Sequence, residues 1–373
     1  MPNCMIIPTY WSTPDINSWK IFDHPTPIQE EGTLRRTLQN LQEVSYPDPI
    51  ILFPAPVAPQ IECRVAQVAK EFSLDIRICT AKDIDHIRTC LEKVGFPKAY
   101  MHTISMHSYG AIRNMGLLYA LVHGFDTVVM IDDDECIDLQ YHHQALLHMD
   151  EVFGDFTILG KTGAVMDESG KKYYDGQSTF TLQDWPKDQL FNENVLLEIE
   201  APGELTPCTV AFGGNMVLSR KLFRTVPFDP FGTRGEDDDY VINARYVGFP
   251  FFFDKNLTLL HLPPKRNTGF WTRHRQDIIR FKYARAKFKI LNIDPNSAGS
   301  FLAYFTRDDL DFKIISSSIA GAKYFVDHHD RREFEEFLNN ALLAATCTDS
   351  DCERSAGDFL RFLDAWTTYA PRL

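Results

Sequence analysis

Short apolar runs alternate with stretches of helical periodicity over the N-terminal third of the chain. Four runs of apolar and β-branched residues end in turn-forming residues and predict strands: "CMIIPTY", "IILFPAP", "LDIRICT" and "DTVVMID". The stretches between them space apolar residues three or four positions apart, as amphipathic helices do, for example "EEGTLRRTLQNLQEV", "PQIECRVAQVAKEF" and "GAIRNMGLLYALVHG". This alternation predicts an α/β fold, a mostly parallel sheet flanked by helices.

The pattern changes after residue 156. "FTILGKTGAVMDESGKKYYDG" predicts a hairpin with its turn at residues 168–170, and "PCTVAFGGNMVLSRKLF" predicts a strand, a glycine turn and a second strand. After residue 273 the pattern is helical and few strand signals occur. The sequence therefore predicts an α/β domain over residues 1–262, followed over residues 263–373 by a basic loop and a helical C-terminal region.

The composition is that of a globular protein: of 373 residues, 44% are hydrophobic and 24% are charged. The net charge of −13 argues against a nucleic-acid-binding protein. No apolar run approaches the ~18 residues of a membrane-spanning helix, and the first residues lack a signal-peptide pattern. Eight cysteines occur without a CxxC pair, which favours reduced thiols over a zinc site. These features predict a cytoplasmic protein.

One basic segment stands out in this acidic chain. Residues 261–289 hold nine Lys or Arg side chains against one acid, Asp277. Its first part, "HLPPKRNTGFWTRHR", is interrupted by Pro and Gly and predicts a loop. Its second part, "QDIIRFKYARAKFKIL", predicts a helix with an apolar stripe beside Lys282, Arg285 and Lys289. This helix either contacts an anionic membrane surface or packs on the rest of the protein, and the second interpretation is favoured.

The fourth predicted strand runs directly into four acids, Asp132, Asp133, Asp134 and Glu135. Carboxylates that alternate at a strand end suit Mg²⁺ or Mn²⁺, and such a cation would bind the phosphates of a ligand. The alternative, a polar strand-to-loop transition, needs only one Asp. Neither a G-x-x-x-x-G-K-[ST] loop nor G-x-G-x-x-G after the first strand occurs, so P-loop NTPases and Rossmann dehydrogenases do not fit.

A second acidic run, residues 236–239, opens the predicted helix "EDDDYVINARYVG". Acidic side chains in a first turn interact well with the helix dipole, but one or two are enough for this purpose. Four acids in a row therefore indicate a further role for some of them.

Six segments in this order resemble the GT-A-fold glycosyltransferases, in particular the family-2-like nucleotide-sugar transferases. They are "IIPTY", "GAIRNMGL", "MIDDDE", "FGGNMVLSRKLF", "FDPFGTRGEDDDY" and the His of "LLHLPP", and together they span about residues 4–262. Two features depart from the family. Asn243 stands where an Arg often follows the Glu of the ED pair, and the triple Asp leaves the register of the DXD element open, since Asp133 could replace either neighbour.

The resemblance implies roles for particular residues. Asp132, Asp134 and His261 would hold the metal, and Asp237, beside Glu236, would be the general base toward the acceptor. Asp239 would serve the helix start, so that two of the four acids are functional and two are solvated or capping. The residues expected at the donor are Pro8, Tyr10, Arg113, Asn114, Asp132, Asp133, Gly214, Asn215, and, from the basic loop, Arg266 and Arg273. For Arg113 and Asn114, an exposed helix face remains an equal alternative.

The implied activity is transfer of a sugar from a UDP- or GDP-linked donor to a hydroxyl acceptor, such as a glycan or a lipid-linked acceptor, with Mn²⁺ or Mg²⁺ as cofactor. A base candidate favours inversion, and a retaining enzyme is the alternative. Sugar nucleotidyltransferases share a similar sheet but carry a glycine- and basic-rich loop after the first strand, where this chain has "PTYWSTPD". A non-catalytic sugar-nucleotide binder is a third possibility. Peripheral membrane contact is possible only in the first interpretation of the basic helix.

Overall fold

The computed structural model describes residues 2–16, 22, 24–172, 182–264 and 269–373 of the chain. Within these ranges, ten strands form one sheet, and two short strands, β7 and β8, pair separately. The strands are β1 (Asn3–Ser12), β2 (Thr26–Pro27), β3 (Ile50–Ala55), β4 (Ile76–Ile78), β5 (Thr127–Met130), β6 (Glu135–Cys136), β7 (Val152–Phe153), β8 (Phe156–Thr157), β9 (Gly160–Met166), β10 (Leu205–Pro207), β11 (Met216–Ser219) and β12 (Phe252–His261).

The sheet is mostly parallel, as the sequence predicts. Its order is β10-β12-β9-β11-β5-β1-β3-β4, with β2 beside β1 and β6 beside β12. Strands β5, β1, β3 and β4 are parallel neighbours, and β9 is parallel to β12. Strand β11 lies antiparallel between β5 and β9. The four strands predicted in the N-terminal third correspond to β1, β3, β4 and β5.

Helices cover both faces of the sheet. They are α1 (Leu34–Glu43), α2 (Pro59–Ala69), α3 (Ala81–Val94), α4 (Tyr109–Val122), α5 (Tyr141–Leu146), α6 (Lys187–Glu200), α7 (Arg220–Phe223), α8 (Glu236–Tyr246), α9 (Phe270–Leu291), α10 (Gly299–Phe305), α11 (Leu310–Asp327), α12 (Arg331–Thr346) and α13 (Asp349–Tyr369). Because side chains alternate along a strand, Ile6 and Val128 pack with α3, α4 and α13 on one face. Ile7 and Val129 pack with α1 and α2 on the other.

Residues 208–213 are not the strand that the sequence predicts. Only the second predicted strand of this region, β11, forms. The backbone N–H groups of Ala211 and Gly213 donate to the carboxylates of Asp238 and Asp237, at 3.3 and 3.0 Å, instead of to a neighbouring strand. The predicted hairpin turn does form, since Gly170 N–H donates to Asp167 at 2.9 Å. Its second arm extends beyond residue 172 and lies outside the described residues.

The C-terminal region is helical, as predicted, but its first helix begins earlier than expected. Helix α9 starts at Phe270, within the segment predicted as a loop, and residues 265–268 lie outside the described part. Helix α13 packs on the α/β part, where the indole N–H of Trp366 donates to the carbonyl of Phe223 at 3.0 Å. The last helix therefore contributes to the main core.

The basic face of α9 lies inside the protein. Lys282 and Arg285 are 2% and 3% exposed and form ion pairs with Asp311, and Arg285 also pairs with Asp349. Two of the three cations proposed to meet a lipid surface are thus covered by the helices that follow, in line with the packing interpretation. In the described part of the chain, no helix is long and apolar enough to cross a membrane.

Candidate active site

The carboxyl end of the sheet brings the strand-end acids and His261 together. Strands β5 and β12 point the same way, so their carboxyl ends lie at one edge of the sheet, where ligands collect in open α/β folds. Asp132 follows β5 directly, and His261 pairs with Glu135 in the short β6–β12 ladder. This ladder places His261 beside the strand-end acids, although they are distant in sequence.

Asp133 points away from the open side of this edge. Its carboxylate accepts hydrogen bonds from Thr9 at 2.6 Å and Thr33 at 3.3 Å, and the residue is 7% exposed. Burial, together with the charge of Asp134, raises the pKa of Asp133 to about 7. Asp133 therefore ties β1 and the start of α1 to the end of β5.

Asp134 faces two histidines. Its Oδ2 atom lies 3.3 Å from Nε2 of His261 and 3.4 Å from Nε2 of His24. Burial opposes ionisation, but the two imidazoles outweigh it, and the pKa of Asp134 lies below its ordinary value. His24 is not among the residues predicted from the sequence, because it follows a stretch without helical or strand periodicity that gives no local signal of its position.

Asp134, His24 and His261 carry the ligand atoms of a metal site, but their positions in the structure do not form one. Among the described residues, no group of three or more His, Cys, Asp or Glu side chains could hold a metal ion as it stands. In that same part of the chain, the buried Oδ2 of Asp134 has no hydrogen-bond partner of normal geometry. A carboxylate oxygen that faces two imidazole nitrogens offers ligand atoms that suit a divalent transition metal.

Arg113 joins the two acidic clusters. Its guanidinium lies 2.7 Å from Oδ1 of Asp132 and 3.5 Å from Oε1 of Glu236. The side chain is 2% exposed, so the alternative of an exposed helix face is wrong. Burial opposes its charge, but Asp132, Tyr10 and Glu236 outweigh it, and the pKa of Arg113 lies above its ordinary value. A side chain at Gly213 would come within 2.9 Å of this guanidinium.

Glu236 and Asp237 stand at the start of α8, next to the glycine turn before β11. Gly235 caps the helix with φ of 70°, a left-handed conformation that favours glycine. Burial and the charge of Asp237 raise the pKa of Glu236 to about 7. Asp237 accepts backbone hydrogen bonds from Gly213 at 3.0 Å and from Asp238 at 2.9 Å. The turn and the helix start are therefore held together by the carboxylate expected to act as base.

The other two acids of this run are neither solvated nor capping, contrary to the expectation. Asp238 is 3% exposed and binds Arg280 of α9 at 2.7 Å as well as the backbone of Ala211. Asp239 binds Lys287 of α9 at 2.7 Å. Both join α8 to α9 through ion pairs, because α9 brings two cations to this face of α8.

Two asparagines expected at the donor, Asn114 and Asn215, use their side-chain amides in hydrogen bonds within the protein. The side-chain amide of Asn114 both donates to and accepts from the backbone of Phe228, at 2.9 and 2.8 Å. Asn215 is fully buried and donates to the carbonyls of Ala164 and Leu257, both at 3.1 Å. Asn114 therefore holds the segment at Phe228, and Asn215 binds strands β9 and β12.

The other residues expected at the donor lie at or near the sheet edge. Tyr10 is 8% exposed near the end of β1 and packs against Phe22 and Tyr109. Pro8 is buried in the same strand, opposite Phe53 of β3. Gly214 is needed where it stands, because a Cβ there would meet the carboxylate of Glu135 at 2.2 Å.

Of the two arginines expected from the basic loop, Arg266 and Arg273, the structure describes only Arg273. Arg266 lies outside the described residues. Arg273 lies in the first turn of α9, where its charge acts on Asp277 and Lys187.

No family model and no curated protein matches this chain. Solved structures similar to it include the mannosyltransferase PcManGT from Pyrobaculum calidifontis in complex with GDP-Man and Mn²⁺, with 14% identity, a TM-score of 0.48, and coverage of 99% of this chain and 86% of that one. A mycobacterial protein is 14% identical over 75% of this chain and 72% of its own, with a TM-score of 0.42. Both TM-scores are below 0.5, so a function has to be argued from the site itself.

Proposed function

We propose that this protein transfers a sugar from a nucleoside diphosphate sugar to a hydroxyl acceptor. The observation that supports this most strongly is the row of side chains from Asp134 through Asp132 and Arg113 to Glu236 and Asp237. At one end, Asp134 and His261 could hold a cation that stabilises a leaving diphosphate. At the other end, the carboxylates of Glu236 and Asp237 suit deprotonation of an acceptor.

Asp134 and His261 would hold a divalent cation, with His24 beside them and Asp132 as the second carboxylate of the register. Of Mn²⁺ and Mg²⁺, Mn²⁺ is the proposed metal, because Mg²⁺ takes oxygen ligands and His261 would supply an imidazole. When bound, the cation would stabilise the charge of the departing diphosphate. Arg113 holds Asp132 in place through an ion pair at 2.7 Å.

Asp237 is the proposed general base, and inversion is the proposed stereochemical course. A carboxylate has about four lone-pair sites, so the two backbone hydrogen bonds leave capacity to accept the acceptor's proton while fixing the side chain. Glu236 stays between Arg113 and Asp237, where its protonation state sets the charge next to the base.

Product analysis tests this proposal against its alternatives. Wild-type protein is incubated with Mn²⁺ and a panel of UDP- and GDP-linked sugars, including GDP-mannose, and the products are followed by NMR. We expect slow release of a nucleoside diphosphate and a free sugar and, when a simple alcohol is added as acceptor, a glycoside of inverted anomeric configuration, which unlike the free sugar does not mutarotate. Retained configuration would indicate a retaining mechanism and contradict the inverting one. Cleavage between the phosphates with added pyrophosphate would indicate a nucleotidyltransferase, and no product from any donor would indicate a binder.

A further inference from the structure

Two cysteines face each other where α12 is followed by α13. The sulfur atoms of Cys347 and Cys352 lie 3.7 Å apart, which is van der Waals contact, and both thiols are free. In the described part of the chain, no other two cysteine sulfurs lie within hydrogen-bonding distance. A disulfide bond needs ~2.0 Å between its sulfur atoms, so a small side-chain displacement would bring this pair to bonding distance.

Hydrogen bonds fix the backbone of the connection between the two helices. Cys347 caps α12, and its N–H donates to the carbonyl of Leu343 at 3.1 Å. Thr348 caps α13, where its hydroxyl oxygen accepts from the N–H of Asp351 at 3.2 Å. The carbonyl of Thr348 also accepts from the N–H of Cys352 at 3.2 Å. The backbone therefore holds both cysteines on the same side of the connection.

Two buried cations of α9 hold the helices on either side of the cysteine pair. The amine of Lys282 donates to the carbonyl of Ala344, in the last turn of α12, at 2.8 Å and to Asp311 at 2.8 Å. Arg285 binds Asp349, the first residue of α13, at 2.7 Å. Because α12 and α13 are both attached to α9 here, the two sulfur atoms have little freedom to move apart.

The two thiols differ in exposure and in acidity. Cys352 is buried, whereas Cys347 is half-buried. A hydrogen bond from Cys352 lowers the pKa of Cys347 to about 7, helped by the charge of Lys282 and opposed by burial and by the charges of Asp351 and Asp349. The same hydrogen bond, together with burial, raises the pKa of Cys352. Cys347 therefore carries the thiolate near neutral pH, and the thiolate is the form that attacks a disulfide.

We propose that Cys347 and Cys352 form a reversible intrachain disulfide by exchange with a low-molecular-weight disulfide such as oxidised glutathione. The Cys347 thiolate attacks one sulfur of the reagent, a mixed disulfide forms, and the first reagent thiolate leaves. The Cys352 sulfur then attacks the Cys347 sulfur, and the second reagent thiolate leaves. The two thiol protons of the protein pass to the released thiolates, so two protein thiols are oxidised while one reagent disulfide is reduced to two thiols. This site is independent of the proposed glycosyltransferase function.

Peptide mapping of the full chain tests the bond directly. Reduced wild-type protein is equilibrated with mixtures of reduced and oxidised glutathione and quenched with acid, and its free thiols are then alkylated under denaturing conditions before digestion with trypsin. Both cysteines lie in one tryptic peptide, residues 333–354. We expect this peptide to escape alkylation and to lose the mass of two hydrogens. Complete alkylation of the peptide at every glutathione ratio, or Cys347 found only as a mixed disulfide, would overturn the proposal.

The same exchange in urea shows whether the fold favours the bond. At one fixed ratio of reduced to oxidised glutathione, the proportion of disulfide to dithiol is measured in folded and in unfolded wild-type protein. We expect this proportion to be at least ~10-fold higher in the folded protein, because the fold raises the effective concentration of one thiol at the other. Equal proportions would mean that the short spacing along the chain alone brings the sulfur atoms together, which would contradict the role given to the fold.

Single variants assign the roles of the two sulfur atoms. In Cys352→Ala, we expect Cys347 to accumulate as a mixed disulfide with glutathione, and its alkylation by iodoacetamide to need a higher pH, because the hydrogen bond from Cys352 is lost. In Cys347→Ala, we expect the buried Cys352 to stay reduced. Cys63→Ala is the control, since Cys63 is exposed and contacts no other cysteine in the described part of the chain, and it should leave the bond unchanged. Mixed disulfide forming as readily at Cys352 as at Cys347, or loss of the bond in Cys63→Ala, would contradict the assignment.

Discussion

Arg113 places its guanidinium 3.5 Å from the carboxylate of Glu236, and this contact connects two acidic clusters that lie far apart in the sequence. The same guanidinium binds Asp132 at 2.7 Å, so one buried cation separates the strand-end acids from those of α8. Without it, the carboxylates of Asp132 and Glu236 would have no cation between them, and their like charges would repel.

Removing this cation should lower the stability of the protein. We expect Arg113→Gln to lower the free energy of unfolding by about 3–5 kcal/mol, as breaking a buried ion pair does. Denaturant titration measures this loss. Arg77→Gln is the control, because Arg77 pairs with Asp75 at the surface and such pairs contribute at most ~1 kcal/mol. Equal losses in the two variants would contradict the role assigned to Arg113.

Replacing the proposed base should separate binding from turnover. We expect Asp237→Asn to lower kcat by at least ~100-fold, the scale of a lost general base, while the Kd for the donor stays near the wild-type value. The asparagine carbonyl can still accept the Gly213 N–H, but the Asp238 N–H then loses its acceptor, so the folding of the variant is measured alongside its kinetics. Normal turnover would mean that Asp237 only holds the glycine turn, and loss of donor binding would indicate a metal or sugar contact.

Glu236 should make stability depend on pH in a defined direction. Its folded pKa of about 7 lies above the ordinary value, so the folded state binds more protons than the unfolded state between about pH 4.5 and 7. The stabilisation from the protonated form is therefore lost as pH rises through 7. We expect Glu236→Gln to gain stability relative to wild type between pH 5 and 8. Denaturant titrations of Glu236→Gln and wild type at pH 5 and pH 8 measure this gain, with Glu353→Gln at an exposed site as control. A constant difference between Glu236→Gln and wild type would contradict this prediction.

Gly235 and Gly248 both have positive φ, but an added side chain would also clash with a neighbour only at Gly235. A Cβ at Gly235 would meet the guanidinium of Arg280 at 1.9 Å, whereas nothing lies within 4 Å of one at Gly248. We expect Gly248→Ala to cost ~1 kcal/mol in unfolding free energy from backbone strain alone, and Gly235→Ala about 1–3 kcal/mol more from overpacking. Equal losses would show that Arg280 moves aside at little cost.

Local patterns predict much of this fold. Strands β1, β3, β4 and β5 follow from short apolar runs, and the acids after β5 lie at the sheet edge because parallel strands end there. The sequence could not show contacts between elements that are far apart along the chain. Asp238 and Asp239 are ion-paired because α9 packs beside α8, and residues 208–213 form no strand because carboxylates of α8 bind their backbone. His24 reaches Asp134 from a segment without periodicity.

The central claim is that the site releases a nucleoside diphosphate from a sugar nucleotide with the help of a cation at Asp134. The most direct measurement is the rate of nucleoside diphosphate release from the donor panel by wild type with Mn²⁺, by wild type with EDTA, and by Asp134→Ala with Mn²⁺. The account predicts release with Mn²⁺ from at least one donor, loss of that release with EDTA, and the same loss in a folded Asp134→Ala variant. Release that is equal in all three samples, or absent with every donor, would contradict it.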